Sequence, residues 1–100
     1  MAKEVILTPL AIANYDRILE YLTYKWGASA ANNFIERFQN VLESLEKNPQ
    51  RFAFENKVKR IQKCVLTKHN ILYFKESEEA IKIITIFDTR QNPEKLSSLI

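Results

Sequence analysis

The apolar residues of this chain change period once, and that change limits what it can fold into. From Pro9 to Lys47 they recur at helical spacing. From Lys59 onward they give way to short runs rich in β-branched and aromatic residues, separated by polar turns. A chain whose first half is helical and whose second half is a set of closely linked strands belongs to the α+β class.

The helical half has clear punctuation. Thr8-Pro9 reads as a helix start: Thr8 can cap through its hydroxyl, and Pro9 suits the first helical position. Ala11, Tyr15, Ile18, Leu22 and Trp26 then fall on one stripe, and Asp16, Arg17, Glu20 and Lys25 lie off it. Gly27, the only glycine, stops this helix near Trp26. A second helix is expected from about Ala28 to Lys47, because Ala31, Phe34, Ile35, Phe38, Val41, Leu42 and Leu45 repeat at i, i+3, i+4 and i+7. Asn48-Pro49 ends it. The tight turn makes the pair an antiparallel hairpin, and its aromatic residues are expected in the core.

A short strand, Lys3 to Thr8, precedes the hairpin. After it, residues 49–56 read as a loop whose Phe52 and Phe54 tuck under a sheet. Strands are expected at Lys59–Thr67, Ile71–Lys75 and Ala80–Phe87, joined by turns at Lys68-His69-Asn70 and Glu76–Glu79. Turns this short imply an antiparallel meander of three strands. The tail from Glu94 to Ile100 reads as a short helix or an arm, with Leu96, Leu99 and Ile100 needing cover. At 100 residues, the whole of 1–100 is expected to form one domain.

Charge is unevenly spread. The net charge is +3, but residues 51–75 carry seven Lys/Arg against Glu55, whereas residues 1–50 sum to −1 and residues 76–100 to −2. A meander places Asp88, Thr89 and Arg90 near His69 and Asn70 at one end of the sheet. Lys57, Lys59 and Arg60 fall at the other end, near Lys75, with Lys63 and Lys68 between them. A basic strip about 20 Å long could follow several phosphates or an acidic protein segment; lysines guarding a sheet edge are the plainer reading.

Chemistry is sparsely provided for. His69 is the one side chain suited to proton transfer near neutral pH, and it stands in a turn. Cys64, the only cysteine, cannot form an internal disulfide and fits a reducing compartment. His, Cys and Asp are too scattered for a metal site, a single glycine allows no phosphate-cradling loop, and no cofactor is expected. The start lacks the apolar run of a secretion signal, and no run approaches the roughly 20 residues of a membrane span. A cytoplasmic location without membrane contact is expected.

The order of these motifs resembles the RelE/ParE superfamily of small bacterial toxins, also labelled plasmid stabilisation proteins. The resemblance covers nearly the whole chain. It runs through Thr8-Pro9-Leu10-Ala11, Ile18, Tyr21-Leu22, Ala31, Phe34 and the Leu42, Leu45, Pro49 close of the second helix. It is sharpest in Ile71-Leu72-Tyr73-Phe74 and in Ile83-Ile84-Thr85-Ile86-Phe87-Asp88-Thr89-Arg90-Gln91-Asn92-Pro93. It implies the toxin of a type II toxin–antitoxin pair, which arrests growth unless a cognate antitoxin wraps it in a hetero-oligomer.

Two activities divide that superfamily. RelE-like members resemble ribosome-dependent endoribonucleases that cut mRNA, whereas ParE-like members resemble inhibitors of DNA gyrase that act by binding. Arg90 matches the arginine after the last strand and is the candidate phosphate clamp. Leu96 stands where RelE-type chains often place a tyrosine, and Phe87-Asp88 where the most active ribonuclease relatives carry histidines. The resemblance therefore implies a ParE-like toxin. The alternatives are a RelE-like ribonuclease using Arg90 with Lys59, Arg60 or Lys63, His69 being the remaining catalytic candidate, and a degenerate toxin that only binds antitoxin. Lys57, Lys59, Arg60, Lys63, Lys68 and Arg90 are the expected contacts to nucleic acid or a partner.

Overall fold

The computed structural model describes residues 3–100. Its order is strand β1 (Glu4–Leu7), helices α1 (Pro9–Trp26) and α2 (Ala28–Lys47), a 3-10 turn (Pro49–Arg51), strands β2 (Phe54–Asn56), β3 (Ile61–Thr67), β4 (Asn70–Glu76) and β5 (Ala80–Asp88), and a short helix α3 (Pro93–Leu99). The α+β reading holds: an N-terminal strand, a helical hairpin and then an antiparallel meander. The strands form one sheet in the order β1-β5-β4-β3-β2, with β1 parallel to β5 and the other pairs antiparallel.

Both helix boundaries follow from single residues. The Thr8 hydroxyl accepts from the Ala11 N–H at 3.1 Å and also donates to the Ile84 carbonyl at 2.7 Å, so one side chain caps α1 and ties it to β5. Gly27 adopts φ 91° and ψ 178°, a conformation that excludes nearly every residue with a Cβ, and its N–H closes the last turn onto the Leu22 and Thr23 carbonyls. That sharp link folds α2 back along α1. Tyr15 packs against Phe38 and Phe34, with ring centroids 4.7 and 5.8 Å apart.

The hairpin covers one face of the sheet. Ala11, Phe34, Phe38 and Leu45 meet Leu66, Leu72, Phe74, Ile81, Ile83 and Ile86 in the main core. A smaller cluster of Ile61, Tyr73 and Phe87 is covered by Leu96 and Ile100 of the tail. The tail is thus a short helix, started by Asn92, whose side chain accepts from the Glu94 N–H at 3.0 Å. Two of its three apolar residues find cover, while Leu99 stays 37% exposed.

Several expectations need correction. Residues 49–56 are not a plain loop, because they hold the 3-10 turn and the edge strand β2. Gln62, buried on β3, fastens that turn by donating to the Pro49 and Phe52 carbonyls at 2.7 and 3.0 Å. Phe52 packs edge-on against Phe74, but Phe54 on the edge strand faces outward. Strand β3 begins at Ile61 and not Lys59, since residues 57–60 form the turn that reverses the chain after β2. The Arg60 N–H bonds the Lys57 carbonyl, and Arg60 itself takes φ 61°. Trp26, placed on the apolar stripe of α1, is 66% exposed. It belongs to the helix's last turn, beyond the stretch that meets the core.

One irregularity positions the far end of the sheet. The β4–β5 register slips between Tyr73 and Phe74, leaving Ile84 as an extra residue on β5. The region is gripped by α1. Asn14 Oδ1 accepts from the Thr85 hydroxyl at 2.7 Å and from the Ile86 N–H at 3.1 Å, while Thr8 holds the Ile84 carbonyl. Bulges re-aim the strand that follows them. Here that segment ends at Asp88.

Candidate functional site

A groove of about 970 Å³ opens between the helical hairpin, the β3–β4 turn, the end of β5 and α3. Helix α1 lines it with Leu10, Asn14, Arg17 and Tyr21, a stripe at spacings of four, three and four. Helix α2 adds Ala30, Asn33 and Arg37, again at helical spacing. The turn gives Lys68 and His69, the strand end gives Asp88 and Arg90, and the tail gives Lys95 and Leu99. Trp26, exposed, also lines the groove. Five lysines and arginines therefore share the groove with a single carboxylate, Asp88.

That carboxylate is already engaged. Asp88 Oδ1 accepts from Arg90 Nε at 3.0 Å and from the Arg90 backbone N–H at 2.9 Å, and Oδ2 accepts from Nη2 at 2.7 Å. The hydrogen bonds from Arg90 hold the Asp88 carboxyl below its ordinary pKa, and the same pairing raises that of Arg90, helped by the nearby Tyr21 phenol. Antiparallel pairing sets the location: Asn70 stands opposite Asp88, and the Thr89 N–H donates to the His69 carbonyl at 2.8 Å. Asp88, Arg90 and His69 thus share one end of the sheet, as the meander predicted.

The other expected contacts do not form one strip with them. Lys57, Lys59 and Arg60 lie exposed in the turn before β3, at the opposite end of the sheet, where Ile61 pairs with Lys75. Lys59 Nζ reaches the Ile100 carbonyl at 3.4 Å. Lys63 sits on β3 opposite Tyr73 and pairs with Glu55 at 3.4 Å. Lys68 is not midway: it lies beside His69 at the Arg90 end. Val65, 67% exposed, lies between Lys63 and Lys68 along the chain. The basic residues therefore divide into a patch at the β2–β3 turn and a groove at the other end. Arg17, expected only to lie off the apolar stripe of its helix, lines the groove, as do Arg37 and Lys95, for which the sequence suggests no role. The polar stripe running Asn14, Arg17, Tyr21 was the available signal.

This arrangement suits gripping an anionic partner better than proton transfer. His69 is held through its backbone, with its N–H 3.4 Å from Thr67 Oγ1 and its carbonyl taken by Thr89. Burial pushes the Cys64 thiol up, away from the thiolate form a nucleophile needs. Among the described residues no group of His, Cys, Asp and Glu is clustered to hold a metal ion, and no helix is long and apolar enough to cross a membrane.

Comparison with known proteins adds a family. The family described as "ParE toxin of type II toxin-antitoxin system, parDE" matches residues 5–93. The fold is similar to that of a chromosomal ParDE toxin–antitoxin system from P. aeruginosa, at 17% identity and a TM-score of 0.73, covering 87% of this chain and 96% of that one. It is also similar to a YoeB dimer from Staphylococcus aureus (12% identity, TM-score 0.63, 87% and 97% covered) and to a YoeB-YefM complex from the same organism (12%, 0.58, 87% and 97%). No curated protein sequence matches the chain.

Proposed function

Because the chain belongs to the ParE toxin family, and so to the RelE/ParE superfamily of type II toxin–antitoxin toxins, we propose that it acts as a ParE-like toxin, inhibiting DNA gyrase in the cytoplasm by binding rather than by cutting RNA. One observation carries this reading. Five lysines and arginines line one partly apolar groove, and Asp88, the carboxylate near His69 that could complete a proton-transfer pair, is taken up by Arg90. An inhibitor that works by binding needs no such pair, and a basic, partly apolar groove serves it well.

A separate cognate antitoxin is the second partner of this reading. The YoeB-YefM structure from Staphylococcus aureus is a toxin–antitoxin complex, and the P. aeruginosa relative is a ParDE system. An acidic antitoxin segment fits a chain whose excess positive charge lies at the surface. The toxin and its antitoxin would form a hetero-oligomer in which growth arrest is suppressed.

The test is DNA supercoiling by purified gyrase with the chain added alone and with its antitoxin. Inhibition that the antitoxin relieves is expected. Absence of gyrase binding, together with mRNA cleavage in a translating extract, reverses the assignment in favour of a ribosome-dependent ribonuclease. In that case Arg90→Ala should abolish cleavage while the fold persists.

A further inference from the structure

Among the described residues that line the groove, Arg90 and Asp88 alone form an ion pair. We propose that Asp88 is a positioning residue: it fixes the Arg90 guanidinium as a preset fork, in the groove shared with Arg17, Arg37, Lys68 and Lys95, for a carboxylate of an acidic protein segment. The proposal rests on the reading of this chain as a toxin that works by binding.

The geometry supports positioning over mere neutralisation. Asp88 engages Nε and Nη2, one edge of the planar guanidinium. Asp88 leaves Nη1 unengaged, so with the Tyr21 phenol nearby the fork can still pair a second oxyanion. A lone arginine side chain loses much rotamer freedom when it binds; one already held by a carboxylate on its own strand end has largely lost it beforehand. The Arg90 backbone N–H on Asp88 Oδ1 fixes the carboxylate as well, so the pair is closed into one local ring. Arg90 nevertheless keeps 58% of its side chain exposed, so the fork can be reached.

A protein carboxylate fits the surroundings better than a nucleic-acid phosphate does. The groove around the cations is lined by Leu10, Tyr21, Trp26 and Leu99, all partly or largely exposed. Leu10 and Leu99 offer no face for a base to stack on but pack against apolar anchors of a peptide, and Tyr21 and Trp26 accept such anchors equally well.

The discriminating experiment exploits the sign of a charge change. A fluorescent amphipathic helical peptide of Glu, Leu and Ala is titrated against the wild type, Asp88→Ala, Asp88→Asn, Arg90→Ala and the double variant Asp88→Ala/Arg90→Ala. An oligouridylate of matched charge serves as the second probe. Removing Asp88 makes the protein more positive, so simple electrostatics predicts tighter peptide binding. Positioning predicts weaker binding, by about fivefold, in line with the loss of one well-oriented charge-assisted hydrogen bond. It also predicts no further loss from Asp88→Ala once Arg90 is gone.

Tighter or unchanged binding by the Asp88 variants overturns the proposal. So does a loss that persists in the Arg90→Ala background, which would mark Asp88 as merely structural. A wild type that binds neither probe refutes it too. An Asp88-dependent loss seen only with oligouridylate assigns the fork to nucleic acid instead. Melting curves of each variant show whether the fold is intact, and Asp88→Asn preserves the side chain's shape. Gyrase takes no part here, so a failed supercoiling assay and a failed fork are separate results.

Discussion

Replacing Asn14 with Ala should destabilise the fold far more than a half-buried polar residue on a helix surface ordinarily does. Its Oδ1 accepts two hydrogen bonds at once, from the Thr85 hydroxyl at 2.7 Å and the Ile86 N–H at 3.1 Å. Thr85 is 1% exposed, so in the intact fold its hydroxyl depends on Asn14 for a partner. The neighbouring Ile84 carbonyl already takes the Thr8 hydroxyl. With two donors stranded beside the bulge, the expected cost is about 2–4 kcal/mol. In a chain of this size that lowers the melting temperature by roughly 10–20 °C. The informative partner is Thr85→Val, which deletes one of the two donors. Alone it should cost about 1 kcal/mol. In the Asn14→Ala background its sign should reverse, because it then removes an unsatisfied hydroxyl. Urea denaturation of the four proteins of this cycle, followed by circular dichroism, measures the coupling. A coupling below about 0.5 kcal/mol would mean that the two side chains act independently and that Asn14 is not what holds the bulge.

Three further outcomes follow from the same physics. Gln62→Leu strands the Pro49 and Phe52 carbonyls and should cost about 2–3 kcal/mol in urea unfolding; a near-neutral result would mean that water replaces the amide. Gly27→Ala meets no atom within 4 Å, yet the φ of 91° should still cost about 1–3 kcal/mol, whereas a cost near zero would show the link between the helices relaxing to another conformation. Asp88 has a folded pKa below its unfolded one, so its pair with Arg90 contributes stability above the unfolded value, and that contribution fades as pH falls through the lower folded value. The melting-temperature gap between wild type and Asp88→Asn should therefore be flat from neutral pH into the mildly acidic range and close only in stronger acid. A gap that closes near neutrality would place the titration on another group.

What the sequence could and could not disclose follows from the range of the interactions involved. The helices were legible because their apolar repeats are long, and Gly27 marks the one place where they part. The pairing of Asp88 with the His69–Asn70 turn was legible because short turns fix antiparallel register. Strand β2 was not, since three residues carry no alternation to read. Trp26 misled because spacing places it on a face without saying whether that face still meets the core at its last turn. Arg17 and Arg37 are the larger omission. Each lies off its helix's apolar stripe, which locally means solvent. Only the closing of the hairpin over the sheet end brings them into one groove with Lys68, Arg90 and Lys95. A count along the chain finds the positive charge at 51–75, whereas the fold gathers a second concentration from five separate parts of the chain.

The contacts that set the fold also set this groove. Thr8 and Asn14 clamp the bulged part of β5 to α1, and the strand then runs on to Asp88 and Arg90. The same helix carries Arg17 and Tyr21, one turn and two turns beyond Asn14. The spacing between the guanidinium of Arg90 and the α1 wall is therefore set by two polar side chains through hydrogen bonds made within the fold. Loosening the clamp should widen the groove before it unfolds the chain. Asn14→Ala is then expected to weaken binding of an acidic peptide even well below its melting temperature, where most molecules are folded. Gln62→Leu, at the opposite end of the sheet, should leave binding unchanged at equal loss of stability. If the two variants weaken binding alike, the effect is one of global stability, and the α1–β5 clamp has no separate part in shaping the groove.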